Sequence, residues 1–416
     1  MVSTSSTNGS GSTNGSGSTG GSGSTGGSGS TSGSLGLTAP LQTAIAEAEE
    51  LIANAPFIRT EADRLEGYDY LAGRIRMAMQ TAFDYDLEQP VFINPTHQFS
   101  RQGLDNPDAV YLHAYLREGV SYVVRGRRGT SADLSFQVMG GTYSADAAAT
   151  SLMAFDEREL VVAADGSFSF EYTAEPGAKT LIVREVFDDW DTETRGTLTI
   201  ERTDTIGRAR KPLTEDVLRK KYDVAARSLT GSIQTWFAFP RFFQYKEPVN
   251  TLTVPASTPG GLSSQFSSIG HYELAEDEAM LVTVPRCDDC TYQAIQIGSD
   301  WYASTDYETH QTSLTRAQAV ASEDGLLRFV ISERPPGPGG APVANWLETT
   351  GHRTGPVMLR WQQLSRALGP EDGPTVEVLP LDEVAARVPG LVGLTEAEYA
   401  ERIAARQRAV ARRMIS

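Results

Sequence analysis

Cysteine and histidine are scarce in this chain of 416 residues, which contains two cysteines and five histidines. Two cysteines cannot form a disulfide scaffold for a chain of this size. Five histidines leave little room for a multi-histidine metal site. We therefore expect neither a resident metal ion nor a cofactor. The hydrophobic content of 40% is sufficient to build apolar cores.

Long apolar runs and an excess of basic residues are also lacking. No run approaches the ~20 apolar residues that a membrane-spanning helix needs, and the N-terminus lacks the basic and apolar regions of a secretory signal. The formal net charge is −17, which disfavours phosphate-rich polymers and anionic lipid. We expect a cytoplasmic protein that binds neither nucleic acid nor membranes, and homo-oligomer formation stays open.

Changes in composition along the chain divide it into segments. The first contains almost only Ser, Gly, Thr and Asn, and we predict it to be disordered. The predicted segments are the disordered tract 1–36, a helical segment 37–90, a first β domain 91–205, a connecting helix 206–247, a linker 248–269, a second β domain 270–380 and C-terminal helices 381–416.

Local patterns support these assignments. Thr60 is suited to cap a helix whose first turn contains Glu61 and Asp63. Between 91 and 205, and again between 270 and 380, short runs rich in β-branched and aromatic residues are separated by Gly, Asp and Pro. The predicted fold is mainly β with helical additions (α+β). It consists of two antiparallel β-sandwich or jelly-roll-like domains with N-terminal, connecting and C-terminal helices.

The second β region contains an ordered series of short motifs. In chain order they are Glu278-Ala-Met-Leu281, Pro285-Arg286, Gln296 to Trp301, Asp306-Tyr307, Thr312-Ser313-Leu314, Asp324-Gly325, Phe329-Val-Ile-Ser332, Asn345-Trp-Leu-Glu-Thr-Thr-Gly351 and Leu359-Arg360-Trp361. In this order, residues 270–361 resemble the domain of unknown function 1214. The earlier run Asp105-Asn-Pro-Asp108, followed by Tyr111, is similar to the region that accompanies this domain.

The resemblance implies β-sandwich or jelly-roll domains with helical additions, and it implies no activity. One departure is visible before the Asn345 run. Members of the family often have an Asp-Pro-Gly turn there, whereas this chain has the longer loop Arg334-Pro-Pro-Gly-Pro-Gly-Gly340.

The densest polar constellation lies between His97 and His113. Its histidines and aspartates could supply general-base chemistry if the fold brings them together. The alternative is a hydrogen-bonded loop in which Asn106-Pro-Asp108 forms a turn or cap. The candidate catalytic residues are His97, Asp105, Asp108 and His113, and the candidate ligand-binding residues beside them are Arg101 and Tyr111.

A second mixture of aromatic and polar residues lies in the second β region. Such mixtures line sites for carbohydrates and small ligands, and they also occur in ordinary sandwich cores. The candidate ligand-binding residues here are Trp301, Tyr307, Arg328, Asn345, Trp346 and Arg360.

Three further motifs have structural alternatives. Cys287-Asp-Asp-Cys290 has the spacing of half a zinc site, a redox pair or a cross-turn disulfide, but a reduced turn explains it as well. The acidic run from Asp188 to Glu193 suits either calcium or a solvated hairpin tip. The aromatic run from Trp236 to Phe243 suits a pocket wall or, preferably, a helix end packed between domains.

No established enzyme signature is present: the chain lacks a Gly-x-Ser-x-Gly elbow, a phosphate-binding loop, a His-Glu-x-x-His pair and a dinucleotide fingerprint. The sequence therefore leaves open whether the protein is an enzyme. Our first hypothesis is binding of a small organic ligand, sugar-like or lipid-like, in a sandwich cavity or at the domain interface. The alternatives are a hydrolase or lyase using a His/Asp pair in region 94–113, and an assembly protein tethered by its N-terminus.

Overall fold

The structure of the protein, a computed structural model, describes residues 36–257, 262 and 265–415. Apart from Gly36, the tract predicted to be disordered lies outside these residues. The helices of the described part are α1 (Ala39–Ala53), α2 (Glu61–Phe83), α3 (Glu215–Phe243), α4 (Val384–Arg387) and α5 (Glu396–Ile415).

Helix α2 begins as its sequence predicts. The Thr60 hydroxyl accepts a hydrogen bond from the Asp63 amide (3.0 Å), and the Asp63 carboxylate accepts one from the Thr60 amide (2.8 Å). This capping box satisfies two amides that the first turn leaves without partners. Helix α3 contains Pro240 in its last turn, although proline removes one backbone hydrogen bond of a helix. The helix continues through Pro240 to Phe243.

The first β region is a sandwich of two sheets. Its strands are β1 (Ala109–Tyr115), β2 (Ser121–Arg127), β3 (Asp133–Met139), β4 (Ser151–Asp156), β5 (Ser167–Thr173), β6 (Thr180–Val186) and β7 (Thr197–Arg202). One sheet has the order β1-β6-β3-β4 and the other β5-β2-β7. Their facing side chains, including Tyr122, Phe136 and Phe168, form one core. The sequence did not predict β4, because its continuous run Leu152–Phe155 lacks strand alternation.

The second β region is also built from two sheets. Its strands are β8 (Thr251–Leu252), β9 (Ala256–Ser257), β10 (Gln265–Glu273), β11 (Glu278–Pro285), β12 (Tyr292–Ser299), β13 (Ala303–Ser304), β14 (Ser313–Thr315), β15 (Leu326–Ser332), β16 (Trp346–Glu348), β17 (Thr354–Gln362) and β18 (Thr375–Pro380). One sheet follows the order β13-β12-β17-β10-β8, and the other follows β16-β15-β11-β18.

The core of the second region lies between these sheets and includes Tyr272, Phe329 and Trp361. Strand β10 begins at Gln265 rather than at the predicted Gly270, because residues 265–269 pair with β17. The protein is thus mainly β with helical additions, and its β regions are sandwich-like. Within the described residues, no helix has both the length and the apolar character needed to cross a membrane.

A buried ion-pair cluster joins α2 to the second β region. His352 Nδ1 lies 2.7 Å from an Asp63 carboxylate oxygen, and Nε2 lies 2.8 Å from a Glu66 carboxylate oxygen. Although burial alone would lower the pKa of His352, the two carboxylates raise it to about 10. Burial opposes ionisation of Asp63, but hydrogen bonds from His352 and two backbone amides lower its pKa to about 2.

The same turn of α2 holds Trp301. Its indole Nε1 donates a hydrogen bond to the Asp63 carbonyl (2.9 Å). The indole ring lies against Gly67, where any side chain would clash, since a Cβ atom would lie 2.3 Å from the ring. The bare backbone of Gly67 therefore allows the close approach between α2 and the second β region.

Replacement of His352 by leucine should destabilise the protein by about 3–5 kcal/mol, because it leaves two carboxylates buried without their partner. The raised pKa of His352 contributes stability that is complete below its ordinary value of 6.5 and is lost as pH rises towards 10. The lowered pKa of Asp63 contributes stability that is lost below 3.8. Urea unfolding from pH 4 to 10 should show the largest difference from the natural protein between about pH 4 and 6.5.

The matched control is His310→Leu. His310 also pairs with a carboxylate, Glu348, at 2.9 Å, but 39% of its side chain is exposed. Solvent screening limits such a pair to about 1 kcal/mol or less. Equal losses for the two variants, or a His352→Leu effect that does not change with pH, would contradict the interpretation of the cluster.

Candidate functional site

A cavity of about 600 Å³ lies between the two β regions and is closed on one side by α2 and α3. We call it the central cavity. Its volume is within the range of sites that bind small organic molecules, roughly 300–1,000 Å³.

The first wall of the central cavity is formed by β1 and β6, which are antiparallel neighbours. Side chains alternate between the two faces of a strand. The faces towards the cavity carry Ala109, Tyr111, His113 and Tyr115 on β1, and Thr180, Ile182, Arg184 and Val186 on β6. The opposite faces carry Ala114, Leu181 and Val183, which belong to the sandwich core. Tyr111 lies directly opposite Arg184 in the register.

The second wall is formed by β17 by the same rule. Met358, Arg360 and Gln362 line the cavity. The alternating residues Val357, Leu359 and Trp361 are buried in the second core. Each strand therefore stabilises a core with one face and lines the cavity with the other.

The two long helices complete the wall with residues about one turn apart. They are Arg74, Met77 and Thr81 of α2, and Arg227, Ser228, Gly231, Ser232, Thr235, Trp236, Phe239 and Phe243 of α3. The Trp236 indole Nε1 donates a hydrogen bond to Gln102 (3.0 Å). A Cβ atom built on Gly231 would meet no atom of the described residues within 4 Å, so this glycine leaves room beside it in the cavity.

The charges that line the cavity are mostly positive. Among the described residues, four arginines and one aspartate contribute to its lining: Arg74, Arg184, Arg227, Arg360 and Asp105. The Asp105 carboxylate accepts hydrogen bonds from the backbone amide (3.0 Å) and hydroxyl (2.8 Å) of Ser304. Burial raises the pKa of Asp105, and this one carboxyl group is outnumbered by the four arginines. The cavity is therefore electropositive in a chain of net charge −17.

The structure separates the four candidate catalytic residues. His113 and Asp105 line the cavity, whereas His97 and Asp108 do not contribute to its lining. His97 Nδ1 accepts a hydrogen bond from the Phe99 amide (3.3 Å), and Asp108 accepts one from the Tyr292 hydroxyl (2.6 Å). Across the described residues, neither histidine forms a hydrogen bond or ion pair with either aspartate.

The candidate ligand-binding residues are also divided. Tyr111 and Arg360 line the cavity. Arg101 forms ion pairs with Glu66 (3.6 Å) and Asp69 (3.0 Å). The remaining candidates lie outside the cavity lining. Trp301, Tyr307 and Trp346 are buried in separate packing clusters or contacts. Arg328 and Asn345 lie beside Val320 and residues 388–392. The space beside Arg328 and Asn345 is only about 10 Å³, which is about the volume of one water site.

The cysteine pair and the acidic run lie outside the lining of the cavity. Cys287 and Cys290 are buried free thiols. In the acidic run, Glu193 accepts hydrogen bonds from the amides of Asp188 (3.0 Å) and Asp189 (3.2 Å), and Asp188 pairs with Arg316 at 3.2 Å. In the part of the chain that the structure describes, no group of three or more His, Cys, Asp or Glu is arranged to hold a metal ion.

Sequence reasoning did not select Arg74 or Arg184. One signal was available for Arg184: it shares a face of β6 with Thr180 and Ile182, in a strand whose other face begins with the apolar residues Leu181 and Val183. For Arg74 the signal was a cation within the buried stripe of α2, next to Leu71 and Met77. The aromatic run in α3 serves both predicted roles, since Trp236 and Phe239 line the cavity and pack against Leu104 and Tyr302.

The fold and the central cavity define a mainly β, sandwich-like protein with a cavity between its β regions. No protein-family model and no curated protein matches this chain. A solved structure of an uncharacterised protein from Burkholderia cenocepacia is similar to it, with a TM-score of 0.73 and 28% sequence identity, over 84% of this chain and 98% of the other. This similarity supports the fold.

A second solved structure, of a protein from Vibrio parahaemolyticus, has a TM-score of 0.43 and 12% identity over 75% of this chain and 98% of the other. That likeness is too low to inform on this chain.

His113 should remain neutral in the cavity down to about pH 4. Burial and the nearby charge of Arg184 lower its pKa to about 3. Two-dimensional NMR of the histidine rings should show no titration of His113 between pH 5 and 8, whereas the pKa of His310 should lie above 6.5 because of Glu348. The variant Arg184→Met should raise the pKa of His113. A His113 resonance that titrates near 6.5 in the natural protein would contradict this geometry.

Proposed function

We propose that this protein binds a small organic ligand with a lipid-like, apolar body in the central cavity. The observation that carries the proposal is the cavity itself, with its volume of about 600 Å³ and walls contributed by both β regions and two helices. Sites of this size that combine apolar and aromatic walls with polar groups commonly bind organic ligands.

The composition of the wall favours a lipid-like ligand over a sugar-like one. Aromatic rings and thioethers occur on every side, in particular Met77, Met139, Trp236, Phe239 and Met358. Thioether side chains are unbranched and polarisable, so they adapt to apolar ligands of varied shape. A sugar instead needs many directional hydrogen-bond partners around its hydroxyl groups.

The hydrolase or lyase hypothesis gains no support from the geometry, because the histidines and aspartates of region 94–113 do not pair. Two further expectations stand as proposals. Residues 270–361 form a domain of unknown function 1214, supported by the ordered motifs quoted above. The protein acts in the cytoplasm, supported by its composition.

The variant Gly231→Trp tests the proposal by filling the cavity. A Cβ atom at Gly231 meets no described atom within 4 Å, and we expect the indole to extend from there into the cavity that Gly231 lines. We expect the neutral fluorescent probe N-phenyl-naphthylamine to bind the natural protein at one site, and to bind Gly231→Trp about tenfold or more weakly, a loss of about 1.4 kcal/mol. Fluorescence titration measures both affinities.

Gly231→Ala is the matched control. It adds one methyl group, leaves the cavity open and should raise helix stability by about 1 kcal/mol. Probe binding should be unchanged in this variant. Native mass spectrometry of the natural protein should also show a mass excess of one copurified molecule that disappears on denaturation. Equal probe affinity in Gly231→Trp and Gly231→Ala would refute binding in the central cavity.

A further inference from the structure

We infer that the ligand of the central cavity is an organic anion, with one carboxylate or equivalent oxyanion on its apolar body, and that Arg184 contacts this group. The inference rests on the proposed function, since it specifies the chemistry of the ligand at the same site. It is based on Arg184, Arg74 and Arg360, none of which forms an ion pair with a carboxylate of the described residues.

The Arg184 guanidinium has N–H groups that could donate further hydrogen bonds. Its Nη1 donates to the Gln137 side-chain oxygen (2.8 Å), and its guanidinium carbon lies 5.9 Å from the centre of the Tyr111 ring. Among the described residues, these are the contacts of the guanidinium group, and no carboxylate forms an ion pair with it. Nε and Nη2 remain on the side-on edge that suits a carboxylate or another oxyanion.

The Arg184 side chain is largely surrounded by protein, although part of it is accessible. Burial lowers the pKa of its guanidinium, which means that bulk water does not solvate the charge well. The accessible part of the side chain faces the cavity that it lines. A ligand oxyanion at this position would replace the missing solvation.

Arg74 adds a second uncompensated charge. Its side chain is only 2% exposed, and its Nη2 donates to the Met77 sulfur (3.0 Å) and the Ser232 hydroxyl (3.2 Å). Its Nε and Nη1 have no hydrogen-bond partner among the described residues. The charge of Asp105 acts on Arg74 from beyond ion-pair distance.

Arg360 provides the third positive charge and is held rigidly. It donates hydrogen bonds to the Gln296 side-chain oxygen and to the Leu104 carbonyl (2.9 Å), both neutral acceptors. Buried charges without counter-ions are costly, and attraction between charges increases where water is excluded. An anion in the cavity would interact favourably with all three arginines, and a cation would be repelled.

Two probes that share one aromatic body test the inference. N-phenyl-naphthylamine is neutral, and anilinonaphthalene sulfonate adds a single sulfonate to the same rings. We expect Arg184→Met to weaken sulfonate binding about tenfold or more and to leave binding of the neutral probe nearly unchanged, because a charge-assisted hydrogen bond contributes about that factor. Fluorescence titrations of both probes measure the ratio of affinities.

Arg125→Met is the matched control. It removes the same charge at an exposed position, where Arg125 pairs with Glu201, and should not change the ratio. Gly231→Trp should weaken both probes, which shows that the sulfonate probe enters the cavity rather than adhering to the surface. Arg184→Met should fold with an unchanged or higher Tm, since methionine keeps the packing of the stem and removes a poorly solvated charge.

The possible results separate the two proposals. If neither probe binds in the cavity, the proposed function fails. If both probes bind and Arg184→Met weakens them equally or not at all, the function stands and the anion inference is overturned.

Competition then identifies the source of the anion. Dodecanoate should displace the sulfonate probe better than dodecanol, or naphthoate better than naphthalene methanol, and alcohols that compete as well as the acids would overturn the inference.

Discussion

The position of helix α2 depends on the paired carboxylates that enclose His352. Asp63 and Glu66 hold the imidazolium from two sides, and Trp301 bonds the same turn through the Asp63 carbonyl. Arg74 follows Glu66 by eight residues on the same rigid helix, a rise of roughly 12 Å. The ion-pair cluster therefore helps to position Arg74, the cation that α2 contributes to the cavity, although the cluster does not itself line the cavity.

The structure contains two opposite uses of buried charge. Around His352 the charges are paired and hydrogen-bonded, which is the arrangement in which burial is tolerated. Around the cavity, Arg74 and Arg184 are buried or enclosed with neutral partners. The first arrangement stabilises the fold. The second has a cost in stability, and binding sites are where such costs are commonly found.

Much of the fold was predictable because it depends on local signals. The Thr60 capping box, strand β6 at Thr180–Val186 and strand β15 at Leu326–Ser332 occur where the sequence indicates them. The short or irregular strands, such as β4 and β16, were not predictable since pairing partners define them. The helix through Pro240 is a similar case, in which buried packing overrides the local preference of proline.

The site was harder to predict than the fold. Tyr111, His113 and Arg360 were among the candidate residues and line the cavity. Arg184 also lines the cavity, but it was not a candidate. Residues 74, 184, 236 and 360 line the same cavity only because the two sandwiches and two helices pack around it. No spacing pattern within the sequence predicts that these residues lie close together.

The alternation along β1, β6 and β17 divides each strand into two independent sets of positions. One set is constrained by the packing of a core, and the other borders an open volume where changes of size are tolerated. Substitutions such as those at Ile182 or Met358 can therefore alter the shape of the cavity while Val183 and Leu359 keep the two cores intact. The architecture allows the shape and chemistry of the cavity to diverge between homologous sequences without any change in fold.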